Sequence, residues 1–135
     1  MPTARYHRGG VIPMRVIRRY ARQVAEKFHP ERIILFGSQA YGTLHADSDV
    51  DLLVVMPARN ETDQAIRIRW DLEAPFPLDL IVRTPHNLKW RLEQGDWFLR
   101  EIVALGKTLY DVHDPRMGPK GRGRPGTRRP RRARA

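Results

Sequence analysis

The sequence predicts an α/β (α+β) domain built as a small mixed β-sheet flanked by helices. Short apolar runs at 33–36, 52–56 and 78–82 are strand-sized and stop at Gly, Pro or charged residues. Between them lie longer segments that open on a helix-capping residue (Asn60, Thr84, Asp96) and close on Gly or Pro. The chain has 135 residues and 41% hydrophobic content, enough for one small core.

Met14, Ile17, Ala21, Val24 and Phe28 recur at steps of three and four, a helical stripe with Pro13 suited to its first turn and Pro30 ending it. Arg15, Arg18, Arg19 and Arg22 fall on the opposite side and read as a solvated face. Ile33–Phe36 is a short buried strand and Leu52–Met56 a second, closed by Pro57. Asn60 caps a helix reaching about Glu73 through Ile66 and Trp70. Pro77–Val82 is a third strand, with Leu78, Leu80 and Val82 on one face and Asp79 on the other. Thr84-Pro85 opens the next helix, which Gly95 stops. Asp96 caps another to Leu105, ended by Gly106, and Lys107–Tyr110 forms a last short strand.

Charge is unevenly spread. The net charge is +10, but nine of the 25 Lys and Arg lie between Arg116 and Ala135, where there is no acid. The domain is therefore near neutral, and the basicity belongs to the tail. Residues 1–12 read as a flexible arm, 13–111 as the domain, and 112–135 as a disordered Arg/Pro/Gly tail that lacks the apolar surface to order itself. Nine cations in twenty residues will associate with polyanions at low salt, so nucleic acid is one expected partner. Arg outnumbers Lys 21 to 4 throughout, so codon bias is an equally available source of that basicity. Cysteine is absent, which excludes disulfides and thiolate metal sites. No apolar stretch approaches a membrane span and no secretory h-region is visible, so the expectation is a cytoplasmic protein.

The chemistry is concentrated in Leu35-Phe36-Gly37-Ser38 and, after a spacer of ten residues, Asp49-Val50-Asp51-Leu52. Alternation along a strand points Asp49 and Asp51 the same way while Val50 and Leu52 enter the core. Two adjacent carboxylates repel unless a cation neutralises them, and Mg²⁺ prefers one or two carboxylates plus phosphate oxygens. Gly37-Ser38 supplies the complement, a close backbone approach with N–H and hydroxyl donors for phosphate. Asp79 adds a third carboxylate in the middle of the next apolar strand. Three acids on neighbouring strands beside a Gly-Ser turn describe a two-metal nucleotidyl-transfer site, in which cations roughly 4 Å apart assist attack and departure.

This pattern resembles the nucleotidyltransferase superfamily that includes DNA polymerase β, and most closely its minimal, stand-alone members. The resemblance covers residues 13–111, including Gly106-Lys107-Thr108-Leu109-Tyr110. It implies the polymerase β-like fold, ATP as substrate and two Mg²⁺ ions held by Asp49, Asp51 and Asp79, with Asp79 also receiving the acceptor's proton. Gly37 and Ser38 would grip the β- and γ-phosphates. Many relatives carry a basic residue directly after the Ser, where this chain has Gln39. Minimal members are typically encoded beside a small helical HEPN protein, so the resemblance implies an antitoxin that transfers AMP onto a HEPN-type toxin or masks it by binding. Self-association, and an RNA-modifying role for the basic tail, are the other expectations.

Residues near the motif carry plainer readings as well. Asp47 and Ser48 read as turn formers, and His45 as a solvated loop residue that lies within reach of a phosphate. Arg83 reads as a strand-end arginine, with phosphate contact the sharper alternative. Trp70, Trp90 and Trp97 fall on helical faces, to be covered by the core or by a partner. The apolar residues after Thr84, with Phe98, Ile102 and Val103 among them, exceed what one small sheet face needs to cover it.

Overall fold

The computed structural model describes residue 6 and residues 11–42 and 49–117. His45, Asp47, Ser48 and the basic tail beyond Met117 lie outside the described residues. The element order is α1 (Met14–Phe28), β1 (Arg32–Phe36), α2 (Ser38–Tyr41), β2 (Val50–Val55), α3 (Glu61–Asp71), β3 (Leu78–Arg83), α4 (Pro85–Glu93), α5 (Trp97–Leu105) and β4 (Lys107–Asp111), followed by a 3₁₀ turn at Pro115–Met117. The four strands form one sheet in the order β3-β2-β1-β4. β1 runs antiparallel to β2 and β4, while β2 and β3 are parallel, so the sheet is mixed. The parallel pair requires a crossover, which α3 supplies.

Strand alternation divides the core into two faces. Val50, Leu52, Val54, Leu80 and Val82 pack with Ile17, Tyr20 and Val24 of α1 and Ile68 of α3. Ile34, Phe36, Leu53 and Val55 pack on the other face with Leu88 of α4 and Leu99 and Ile102 of α5. On the first face, the Tyr20 hydroxyl donates to the Leu72 carbonyl at 2.8 Å and its ring meets Phe76 edge-on. Burial pushes that hydroxyl's pKa up to about 12, so it stays a donor at any physiological pH.

The helix boundaries follow their caps. Asn60, Thr84 and Asp96 side chains accept from the backbone N–H of Asp63, Asn87 and Leu99 respectively. Glu61 then locks α3 to the β3–α4 junction: it accepts from Thr84 N at 2.8 Å and from Asn87 Nδ2, and pairs with Arg83 at 3.8 Å.

Several expectations change. Residues 38–41 form a single helical turn where residue pattern assigns no element, with Ala40 and Tyr41 N–H donating to the Gly37 carbonyl. Four residues are too few to show a helical period, and the N-cap, Gly37, has no side chain to cap the turn. Pro13 is the N-cap of α1 rather than a residue of its first turn. No Trp enters the core: Trp70, Trp90 and Trp97 are 85%, 52% and 75% exposed. Of the apolar residues expected to be in excess, Ile102 is buried whereas Phe98 and Val103 are not. At the N-terminal side, Ile12 is buried in the core and Tyr6 N–H donates to the Pro75 carbonyl at 2.8 Å. No helix among the described residues is long and apolar enough to cross a membrane.

Gly106 joins α5 to β4 where the chain passes against β1. A Cβ there would meet the carbonyl oxygens of Ile102 at 2.6 Å and Leu35 at 2.9 Å, neither of which can swing aside. Gly106→Ala is expected to destabilise the domain by about 2 kcal/mol through overpacking. Urea unfolding checks this, and an unchanged midpoint would show that the α5–β4 junction yields.

Candidate active site

One row across the sheet builds the site. Asp51, the second residue of β2, is the register partner of Phe36 at the end of β1 and of Asp79 at the start of β3. Residues aligned across a sheet share a face, so Asp51 and Asp79 stand side by side on the α4/α5 side. Asp49, the residue just before β2 begins, lies within electrostatic reach of Asp51. The strand ends make this possible: β1 is finishing where β2 and β3 begin, and Val50 N–H donates to the Pro77 carbonyl to align the two starts.

Gly37 closes the row from the β1 side. Its φ of +75° is a left-handed value, and a Cβ on it would collide with Oδ2 of Asp51, with Asp51 Cγ at 3.0 Å. Only glycine therefore lets the Asp51 carboxylate lie against the turn. Ser38 follows directly as the first residue of α2, half-buried. The structure thus brings Gly37 and Asp51 into contact and sets Asp79 and Asp49 around Asp51.

Burial differs among the three acids. Asp51 is half-buried, Oδ1 of Asp49 is a buried oxygen, and Asp79 is exposed. The Asp51 carboxyl is pushed up to about 6, chiefly by burial and then by the charges of Asp79 and Asp49. Among the described residues, no three His, Cys, Asp or Glu side chains form a ready cation cage. Mg²⁺ does not require one, since two carboxylates with phosphate oxygens complete its usual shell. The donors present are all hard oxygens, and they fit that cation rather than a soft metal.

Other residues are placed away from this row. Arg83 ends β3, four residues and roughly 13 Å of strand beyond Asp79. Its guanidinium donates to the Val82 carbonyl and pairs with Glu61, so it serves the α3–α4 junction and not the acids. A hollow of about 410 Å³ lies between α3 and the start of β3, lined by Ile66, Trp70, Leu72, Phe76 and Leu78. It belongs to the α1/α3 side, the opposite face from the acids. One neighbour of the site was not legible from residue order: Phe98 of α5 meets Phe36 edge-on, with ring centroids 5.6 Å apart. The only hint in sequence was its place one residue after Trp97 in an apolar helix start.

The raised Asp51 group has a consequence for stability. Between its ordinary value of 3.8 and its folded value of about 6, the folded chain holds a proton that the unfolded chain has released. Stability from this group is therefore present below 3.8 and is lost as pH rises through about 6. A shift of this size corresponds to about 3 kcal/mol, which partial solvent exposure reduces to about 1 kcal/mol. Asp51→Asn is expected to remove this pH dependence and to leave the metal-free domain about 1 kcal/mol more stable near neutral pH. Paired urea titrations at about pH 5 and about pH 7.5 measure it, and an equal slope in both proteins would place the proton elsewhere.

Among curated proteins none matches the chain. A family model described as a nucleotidyltransferase domain matches residues 17–110, from the first turn of α1 to the penultimate residue of β4, and takes in Gly37, Ser38 and all three acids. The match spans more than half of the chain and coincides with the folded body, whose mixed sheet and flanking helices are the polymerase β-like arrangement. On this match and this architecture, the chain belongs to the nucleotidyltransferase domain family.

Proposed function

We propose that this chain is a Mg²⁺-dependent nucleotidyltransferase that moves AMP from ATP to a hydroxyl and releases pyrophosphate. The observation that carries the reading is the row Asp51–Asp79 with the side-chain-free Gly37 pressed against Asp51. A domain kept only as a scaffold has no physical use for a half-buried Asp51 whose pKa is raised by burial and by the charges of Asp79 and Asp49. In this reading Asp49 and Asp51 hold the metal, and Asp79 completes a second position. Bound Mg²⁺ would neutralise the acids and the triphosphate and make the acceptor hydroxyl more acidic.

The protein groups then have separate tasks. The Gly37 backbone and the Ser38 hydroxyl hold the β- and γ-phosphates and so fix the α-phosphorus. Asp79, the most solvent-open of the three, is placed to receive the acceptor's proton. The acceptor oxygen bonds to the α-phosphorus as the bond to the bridging α,β-oxygen breaks, and that electron pair leaves with pyrophosphate. Most of the rate would come from positioning and charge neutralisation, as in other phosphoryl transfers.

The acceptor we assign is a separate protein, a helical partner of the HEPN type, with this chain as the antitoxin. Supporting this are Trp90 and Trp97, large apolar side chains left in solvent on α4 and α5. These helices cover the same sheet face as the acids, so a partner seated on them would present its hydroxyls near the site.

Calorimetric titration tests the site. Asp49→Asn or Asp51→Asn is expected to abolish Mg·ATP binding while leaving the far-UV spectrum unchanged. Incubation with labelled ATP and Mg²⁺, with and without the product of the adjacent gene, tests the transfer. Label on that product, reduced about a hundredfold or more by Asp79→Asn, is the expected result. Tight complex formation without label would replace the enzyme by a binding module on the same fold. Unchanged Mg·ATP binding in both variants would sink the assignment of the acids.

A further inference from the structure

Phe98 is half-exposed, and through Phe36 it borders the acid row rather than the far side of the molecule. Its ring packs edge-to-face on Phe36, centroids 5.6 Å apart and planes at 84°. Phe36 is buried, is the register partner of Asp51, and directly precedes Gly37. The Phe98 ring thus lies one aromatic contact from the residue that joins the acids to the Gly-Ser turn. α5 carries it, and α5 packs against β1 through Leu99 and Ile102.

The geometry points to Phe98 as the stacking platform for the nucleobase of a nucleotide bound at Gly37, Ser38 and Asp51. This rests on the nucleotide reading above and extends it to the part of the ligand that phosphates do not fix. Phosphates held at the turn leave the nucleoside end to extend over a neighbouring surface, and the Phe36–Phe98 pair is the aromatic surface continuous with that turn. The edge contact with a buried ring holds Phe98 in place while half of its surface stays open, so little freedom is lost when a base lies on it. Tyr41, an exposed ring that ends the four-residue α2, is not in either of the ring pairs formed among the described residues. Stacking on a ring tolerates any base, so the platform sets affinity for nucleotides as a class rather than choice among them.

The experiment compares Mg·ATP with Mg·tripolyphosphate, which has the phosphates and no base. Wild-type protein is expected to bind Mg·ATP at least about tenfold more tightly than Mg·tripolyphosphate. Phe98→Leu keeps apolar packing on Phe36 and removes the aromatic face. It is expected to weaken Mg·ATP about tenfold, with Mg·tripolyphosphate and melting temperature unchanged. Phe98→Tyr is expected to retain wild-type ATP binding. Equal wild-type affinity for the two ligands, unchanged ATP binding in Phe98→Leu, or the loss appearing in Tyr41→Leu instead would overturn the platform while leaving the phosphate site standing. Failure of the wild type to bind either ligand would overturn both the platform and the nucleotide reading beneath it.

Discussion

A side chain that is missing at residue 37 allows a charge to sit at residue 51. With any Cβ on Gly37 the Asp51 carboxylate would have to turn away from β1, and the row formed with Asp79 would lose its contact with the turn that begins α2. The φ of +75° adds a second reason for glycine, because a branched or bulky residue would be strained there even with room to spare. Both conditions meet at the end of β1, where Phe36 has just delivered its ring into the α4/α5 core. Gly-Ser turn, acid row and aromatic pair therefore depend on one close approach between two strands.

The two faces of the sheet divide the work. On the α1/α3 face, β2 contributes Val50, Leu52 and Val54 without interruption, and Ile17, Val24 and Ile68 cover them completely. On the α4/α5 face the same strand begins with an acid at 51 and becomes apolar only at Leu53 and Val55. That face cannot be sealed at its open end, because a sealed carboxylate would have to be paired or protonated. Asp51 stops halfway, buried enough for its pKa to rise and open enough to ionise. The first face packs without any residue of the site.

Much of the fold was legible because its boundaries are chemical. Asn60, Thr84 and Asp96 each accept from a backbone N–H three residues on, as such residues do at helix starts. The acids were legible because strand alternation is rigid: Asp79 between Leu78 and Leu80 takes the opposite face of the sheet from them whatever the rest of the chain does. What residue order did not give was anything set by long-range register. That Asp51 faces Asp79 rather than Pro77 or Ile81 depends on how β3 aligns after the α3 crossover, and strand pattern alone allows either parity-preserving shift. The exposure of Trp70, Trp90 and Trp97 was also hidden, since an apolar stripe looks the same whether a core or solvent covers it. α2 was hidden because one helical turn has no period to read.

Glu61 shows how distant register is held. Its carboxylate receives the N–H of Thr84 and the side-chain amide of Asn87 and stands beside Arg83, so the first residue of α3 is fastened to the residues that follow β3. The strand that ends at Arg83 is the one that starts beside Asp79, and its pairing with β2 is continuous from Leu78 to Arg83. A one-residue slip of β3 would move Asp79 to the opposite face and also pull Thr84 out of reach of Glu61. The ion pair at the far end of the sheet and the acid row at the near end are thus two readings of one alignment. Charge placed at 61 is far from any chemistry at 51, yet it stabilises the only register in which the two aspartates meet.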